Sequence, residues 1–340
     1  MLEKQYFIPE PEEFISEQPM TAALKAVKTA RDEEIRSVIS GKSDKMLVVI
    51  GPCSAHEPAP TLEYISRLGK LNESVKEKLV IVPRIYTNKP RTKGVGYKGM
   101  FLQPDPEGAA DIARGIRSIR SLHLAAMNES GLTSADEMLY PENTPYVEDL
   151  LSYHAVGARS VEDQLHRQVA SGIEAPVGMK NPMSGNIIAL MNSIFAAQSS
   201  QIFKYRNYQV SSDGNPYAHA ILRGGVDGNG ADVPNFHYET VMQIAEMYNG
   251  SNLQNPAIVI DCNHSNSGKK HRQQIRIAEE VMQNRRFDAD FKKLVKGFMI
   301  ESFLVEGAQK HDEVFGKSIT DPCLGWEDTE RLLLDLAAQV

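Results

Sequence analysis

Eight short apolar runs, nearly every one ending in a polar or ionisable residue and each followed by a helical stretch, constrain this chain more than any other feature. They span residues 46–50, 79–86, 134–140, 154–159, 176–180, 217–223, 257–261 and 294–301. Between them lie apolar residues at helical spacing, such as Leu62, Ile65, Leu68 and Leu71, or Ile112, Ile116, Ile119 and Leu122. Short runs of this kind read as strands buried on both faces. Strand and helix in alternation predict an α/β fold with a parallel sheet, and eight repeats predict a closed (β/α)8 barrel. An open, doubly wound sheet is the alternative. The residues at the run ends favour the barrel: Cys53, Arg84, Glu137, Arg159, Lys180, Arg223, His264 and Glu301. In a barrel they converge on one mouth, where such folds keep their chemistry, whereas in an open sheet they spread along an edge.

The rest of the chain decorates that repeat. Residues 1–45 read as an arm, punctuated by Pro9, Pro11 and Pro19, and a helix from Thr21 to about Ser40 stopped by Gly41. The division expected is an arm and helix over 1–45 and a barrel over 46–340. A short helix is expected over 147–153. Ser160, with Asp163 three residues on, reads as the start of a helix, and Ser184 precedes another that runs through Ala197. Residues 199–216 break the pattern and read as an inserted β-hairpin turning at Asp213-Gly214, of the sort that pairs with another subunit or forms a regulatory surface. Gly224–Gly230 reads as a flexible loop.

A net charge of −7 argues against general binding to nucleic acid or anionic membranes. No run approaches a membrane span, and the N-terminus lacks a signal-peptide core. Three cysteines cannot make a disulfide framework, so the expected compartment is a reducing cytoplasm.

Within this acidic chain the stretch after the second run is cationic, with Arg84, Lys89 and Arg91 followed by Thr92. Arg159, Lys180 and Arg223 close later runs. Six cations at one mouth repel one another unless anionic guests neutralise them. They imply a substrate set bearing phosphates and a carboxylate, which Arg forks match. A second set, Cys53, His264, Glu301 and Asp321, offers a thiolate, an imidazole and two carboxylates, plausible ligands for Mn²⁺, Fe²⁺, Co²⁺ or Zn²⁺. The spacing is not local. A buried core cysteine and a satisfied loop histidine are the plain alternatives, although barrel closure makes run ends one, seven and eight neighbours.

GPCS at 51–54, KPRT at 89–92, GAR at 157–159, ILRGG at 221–225, NHSNSGK at 263–269 and GKSITDPCLGWED at 316–328 resemble the 3-deoxy-D-arabino-heptulosonate 7-phosphate (DAHP) synthase family, in its type I, feedback-regulated branch. The resemblance implies a transferase of the shikimate pathway that joins phosphoenolpyruvate to erythrose 4-phosphate with loss of phosphate. It implies phosphoenolpyruvate on Arg84, Lys89, Arg159, Lys180 and Arg223, with Glu137 beside the enol phosphate. It places erythrose 4-phosphate toward Arg91 and Thr92 and a divalent metal on Cys53, His264, Glu301 and Asp321. The residues it implies in the chemistry itself are Lys89, Lys180, His264 and Asp321. It also implies a homodimer or homotetramer and an aromatic amino acid as feedback inhibitor. Residues 138–146 and the hairpin depart from the best-known members and do not specify which amino acid. Cys323, two residues past Asp321, is either an inert buried thiol or a neighbour of Cys53, where loss of metal would permit a disulfide. Two other enzyme readings remain beside this one: a 3-deoxy-octulosonate 8-phosphate synthase-like enzyme, against which Pro90 in KPRT speaks, and a Schiff-base aldolase on Lys180. A third is a non-catalytic amino-acid sensor.

Overall fold

The computed structural model describes residues 1–91, 94 and 96–340. Eight parallel strands form the centre: β1 (Met46–Gly51), β2 (Leu79–Pro83), β3 (Ser134–Glu137), β4 (Leu151–Val156), β5 (Val177–Lys180), β6 (His219–Leu222), β7 (Ile258–Asp261) and β8 (Val295–Glu301). Each pairs with its sequence neighbours except β2 with β3, and β1 also pairs with β8, Gly51 lying opposite Glu301. The ring is completed between β2 and β3 by a bridge from Arg84 to Ala135, where the Ile85 N–H donates to the Ala135 carbonyl at 2.9 Å. The architecture is a (β/α)8 barrel.

Two apolar clusters follow from the strands' alternation. One lies between the barrel and its outer helices, with Val48, Ile50, Ile81, Ile260 and Ile300 facing Tyr64, Ile116, Leu190 and Ile277. The other fills the barrel with Leu47, Val49, Val80, Val82, Tyr153, Ile221, Val259 and Met299. Ile35, Val38 and Ile39 belong to the second cluster. They come from the helix Ala22–Ile39, whose N-cap Thr21 accepts from the Leu24 N–H at 3.2 Å. This helix therefore closes the N-terminal end of the barrel and leaves the opposite end as the open mouth.

Several boundaries differ from the sequence expectation. The arm contains an unforeseen helix, Pro11–Glu17. The helix expected over 147–153 is replaced by two 3-10 turns, Pro141–Tyr146 and Glu148–Leu150, and β4 begins at Leu151. The run Leu150–Val156 is buried throughout, so its apolar pattern carries no period that separates helix from strand. Asp163, not Ser160, caps Gln164–Gly172, accepting from the His166 N–H at 3.1 Å. The helix expected after Ser184 begins at Ile187, capped by Asn186. The inserted hairpin exists as Gln201–Tyr205 paired with Tyr208–Ser212, but its turn is Arg206-Asn207, not Asp213-Gly214. Arg206 takes the left-handed conformation there (φ +52°), while Gly214 (φ +90°) returns the chain to the barrel beneath the Gln198 carbonyl. Residues 224–230 are not a free loop, since Gly225–Val226 pairs antiparallel with Asp232–Val233.

A buried imidazole sits inside the barrel. His219 Nδ1 is 2.8 Å from the Tyr217 carbonyl, which can only accept, so Nδ1 carries the proton. Nε2 then accepts from the Tyr153 hydroxyl, also at 2.8 Å. Burial pushes this imidazole down to about 4. The unfolded chain, with an ordinary value of about 6.5, takes up the proton first as pH falls. Stability is therefore full above about pH 6.5 and is lost between there and pH 4, by about 3 kcal/mol at most. Gln at this position keeps one donor and one acceptor but cannot titrate. We expect the thermal midpoint to fall less between pH 7 and pH 5 in His219→Gln than in the parent; equal falls would show that this imidazole contributes nothing to acid sensitivity.

Candidate active site

The open end of the barrel holds a cavity of about 1060 Å³, counting its mouth. Its lining includes Arg84, Lys89, Arg91, Glu137, Arg159, Lys180, Arg223, His264 and Asp321. Of the residues expected from sequence, Glu137, Lys180 and Glu301 are the last residues of their strands, and Cys53, Arg84, Arg159, Arg223 and His264 lie one to three residues past theirs. Asp321 comes from the loop after β8. Thr92 lies outside the described residues.

Cys53 and Glu301 are buried beneath the cavity. Ligand atoms of Cys53, Glu301 and Asp321 all lie within 4.8 Å of one another. His264 Nε2 is 3.9 Å from Glu301 Oε1. Lys89 Nζ donates to Cys53 Sγ at 2.6 Å. Burial, then Glu301, push the thiol up, and Lys89 opposes them. Burial would also raise the Glu301 carboxyl, but Arg84, His264 and Lys89 bring it below its ordinary value. Asp321 is held well below the carboxylate range, against its burial, by Lys89 and Lys269. One thiol, one imidazole and two ionised carboxylates make a donor set suited to a divalent transition ion. Cys323 is a buried free thiol that donates to the Asp321 carbonyl at 3.6 Å.

The cations are individually anchored. Arg84 is 3 % exposed; its Nη2 is 2.9 Å from Glu301 Oε1, its Nη1 donates to the Pro52 carbonyl, and its guanidinium lies 3.8 Å over the Tyr86 ring. Lys180 Nζ donates to Asp261 Oδ2 at 3.0 Å. The same Asp261 oxygen is 2.9 Å from His264 Nδ1. Burial alone would raise the Asp261 carboxyl, but His264, Lys180 and Arg223 hold it far below the usual range. Burial and the nearby Arg159 push the Arg223 guanidinium down, and Asp261 opposes them. Arg91 Nε donates to the Tyr97 carbonyl at 2.8 Å. Gly157 makes room for Glu137, because a Cβ there would collide with the Glu137 carboxylate.

Sequence reasoning missed the residues that position this set. Asp261 orients both Lys180 and His264, and its one signal was that it closes the apolar run AIVID. Asp136 accepts from the Thr87 N–H at 3.0 Å and from the Thr87 hydroxyl, and so fixes the root of the KPRT loop. Asn263 donates to Glu301 Oε2. Asn181, Asn235 and Asn266 link the ends of β5, β6 and β7: Asn235 Nδ2 donates to Asn181 Oδ1 at 3.0 Å, and Asn266 Nδ2 donates to the Leu222 carbonyl at 3.0 Å and the Asp261 carbonyl at 2.8 Å. Asparagine is common in loops, so nothing local marks these. His264 itself adopts the left-handed conformation (φ +49°), a strain of about 1–3 kcal/mol that its fixed neighbours hold in place.

Residues 20–334 match the family model described as the DAHP synthetase I family. The chain is 41% identical over 341 residues to the Trp-sensitive phospho-2-dehydro-3-deoxyheptonate aldolase of Enterobacter agglomerans, covering 97% of this chain and 94% of that protein. It is 40% identical over 328 residues to the Phe-sensitive enzyme of Escherichia coli (strain K12), covering 94% and 90%. The solved phospho-2-dehydro-3-deoxyheptonate aldolase of Francisella tularensis SCHU S4 superposes with a TM-score of 0.92 at 32% identity, covering 100% of this chain and 98% of that one. With a barrel of this form and matches of this extent, the chain belongs to the DAHP synthetase I family.

Proposed function

We propose that the cavity joins phosphoenolpyruvate to erythrose 4-phosphate, giving DAHP and inorganic phosphate. The chain is a 3-deoxy-7-phosphoheptulonate synthase, a transferase of the shikimate pathway to aromatic amino acids. The observation that carries the site assignment is one cavity lined by cations from four strand ends and by Asp321, whose ligand atom lies within 4.8 Å of those of Cys53 and Glu301 buried beneath it. In this reading Arg84, Lys89, Arg159, Lys180 and Arg223 hold the phosphate and carboxylate of phosphoenolpyruvate. Arg91, with Thr92, receives the phosphate of the aldose, and Glu137 faces the enol. Cys53, His264, Glu301 and Asp321 hold a divalent ion (Mn²⁺, Fe²⁺, Co²⁺ or Zn²⁺), which when bound supplies Lewis-acid polarisation of a carbonyl. The cations hold both anions in attack geometry, an effect worth up to about 7–11 kcal/mol in ideal cases. They also stabilise charge moving onto the departing phosphate. Lys180 Nζ, ion-paired with Asp261, is set to hold or deliver a proton. The same pairing opposes a Schiff-base role, which needs a neutral amine.

Turnover is expected with phosphoenolpyruvate and erythrose 4-phosphate, measured as phosphate release, with loss on chelation and recovery on adding Mn²⁺. A preference for arabinose 5-phosphate, or turnover indifferent to chelator, would overturn the assignment. Asp261→Asn should lower both activity and metal affinity by about 10- to 100-fold, as expected for a group that orients a ligand. A loss of thermal stability with unchanged kcat and unchanged metal affinity would make Asp261 merely structural.

Residues 1–45 and the hairpin within 199–216 are appendages to the 46–340 barrel in this reading, and they carry regulation and assembly. Exposed apolar side chains on them, Phe7, Ile202 and Tyr208, support a homodimer or homotetramer. No helix among the described residues is long and apolar enough to cross a membrane, and all three cysteines are free thiols, which supports a reducing cytoplasm. Relatives are named for sensitivity to Trp or Phe. One of Phe, Tyr or Trp should therefore lower the rate in a direct assay, and indifference to all three would remove feedback from this account.

A further inference from the structure

A second cluster of ligating groups lies outside the cavity. It joins the loop after β1 to the loop after β8. His56 is buried, 1 % exposed, with its ring edge-on to Phe303. Its Nδ1 lies 3.4 Å from the Ser54 carbonyl. Binding a cation through Nε2 requires the neutral tautomer that keeps its proton on Nδ1, turned to that carbonyl. Nε2 is buried and makes no hydrogen bond with any described residue, yet Asp312 Oδ2 stands 3.3 Å away. Ligand atoms of His56, Glu57 and Asp312 all lie within 4.8 Å of one another.

We propose that His56, Glu57 and Asp312 form a second divalent-cation site that staples the loop after β1 to the loop after β8. In that tautomer the Nε2 lone pair joins two carboxylates in a purely electron-donating set, and a cation at its centre satisfies all three groups. Imidazole with its other nitrogen turned to a backbone carbonyl is the usual posture of a metal-ligating histidine. One imidazole and two carboxylates suit Mn²⁺, Fe²⁺ or Zn²⁺, with water completing the shell. The ligands are held in place. Gln309 Nε2 donates to Asp312 Oδ1 at 3.1 Å and to the Lys317 carbonyl at 2.9 Å, while its Oε1 accepts from the Val314 N–H at 2.9 Å. Glu57 precedes the helix Pro58–Val75, and its carbonyl accepts from the Thr61 hydroxyl at 2.6 Å.

The position gives the staple a purpose, which rests on the active-site reading above. His56 follows Cys53 by three residues, and the Asp312 loop leads directly to Asp321. A cation here fixes the relative position of the two segments that supply a thiolate and a carboxylate to the catalytic set.

The test is Mn²⁺ stoichiometry of the full-length protein, stripped with chelator and titrated by calorimetry, with thermal midpoint as a second readout. Asp312→Asn and, independently, Glu57→Gln should each bind one Mn²⁺ fewer per chain than the parent and gain less in thermal midpoint from the metal. Cys53→Ser should lose a different equivalent, leaving the Asp312-dependent one intact. If Asp312→Asn and Glu57→Gln bind as many Mn²⁺ ions as the parent, the second site does not exist. If Cys53→Ser alone loses none, it is the catalytic assignment that fails, and the two results are read separately.

Discussion

Charge compensation at the barrel mouth is the constraint on which the rest of the structure depends. Arg84, Lys89, Arg91, Arg159, Lys180 and Arg223 share one cavity in a chain whose net charge is −7. Two like charges about 4 Å apart repel by about 4 kcal/mol at the effective dielectric of a protein surface. The fold answers with buried carboxylates beneath the cations, Glu301 under Arg84 and Asp261 under Lys180. These pairs are weak evidence for stability, because desolvation offsets most of their attraction. Breaking one is another matter: an uncompensated buried charge costs about 3–5 kcal/mol. Their effect is to hold each head group at a fixed place while leaving the remaining positive potential for anionic guests.

The barrel supplies the rigidity that such an arrangement needs. Parallel ladders fix the strand ends, and the buried asparagines knit the ends of β5, β6 and β7 by hydrogen bonds. The helix Ala22–Ile39 seals the other end of the barrel with apolar side chains. The loops that carry the chemistry therefore begin from a frame that does not shift, which is the condition for placing charged groups to within a fraction of an ångström.

The arm, the hairpin and the 3-10 segment after β3 are tied into one unit beside the mouth. Tyr205 donates from its hydroxyl to the Pro141 carbonyl at 2.6 Å, Tyr146 donates to the Pro9 carbonyl at 3.1 Å, and Arg206 pairs with Glu10. Arg120, fully buried, binds Asp149 through both terminal nitrogens and also donates to the Gln18 carbonyl at 3.0 Å. The segment starts only a few residues after Glu137, so these appendages and the cavity wall are mechanically continuous.

What the sequence determined alone were the features written in local chemistry: the eight apolar runs, the helices between them, and the polar residues at the run ends. Those residues carry their identity and their distance from a strand end in the primary structure, and eight repeats leave few ways to close. The (β/α)8 barrel was legible for that reason, and so was the gathering of Arg84, Lys89, Arg91, Arg159, Lys180 and Arg223 at its mouth. The tertiary structure alone decided that β4 starts at Leu151, that the hairpin turns at Arg206-Asn207, and that Asp261 serves both Lys180 and His264. It also decided that His56 meets Asp312 across two loops. Each depends on which buried group faces which across the barrel. A carboxylate or an asparagine looks the same in sequence whether it meets water or a lysine, so only the packed chain distinguishes them.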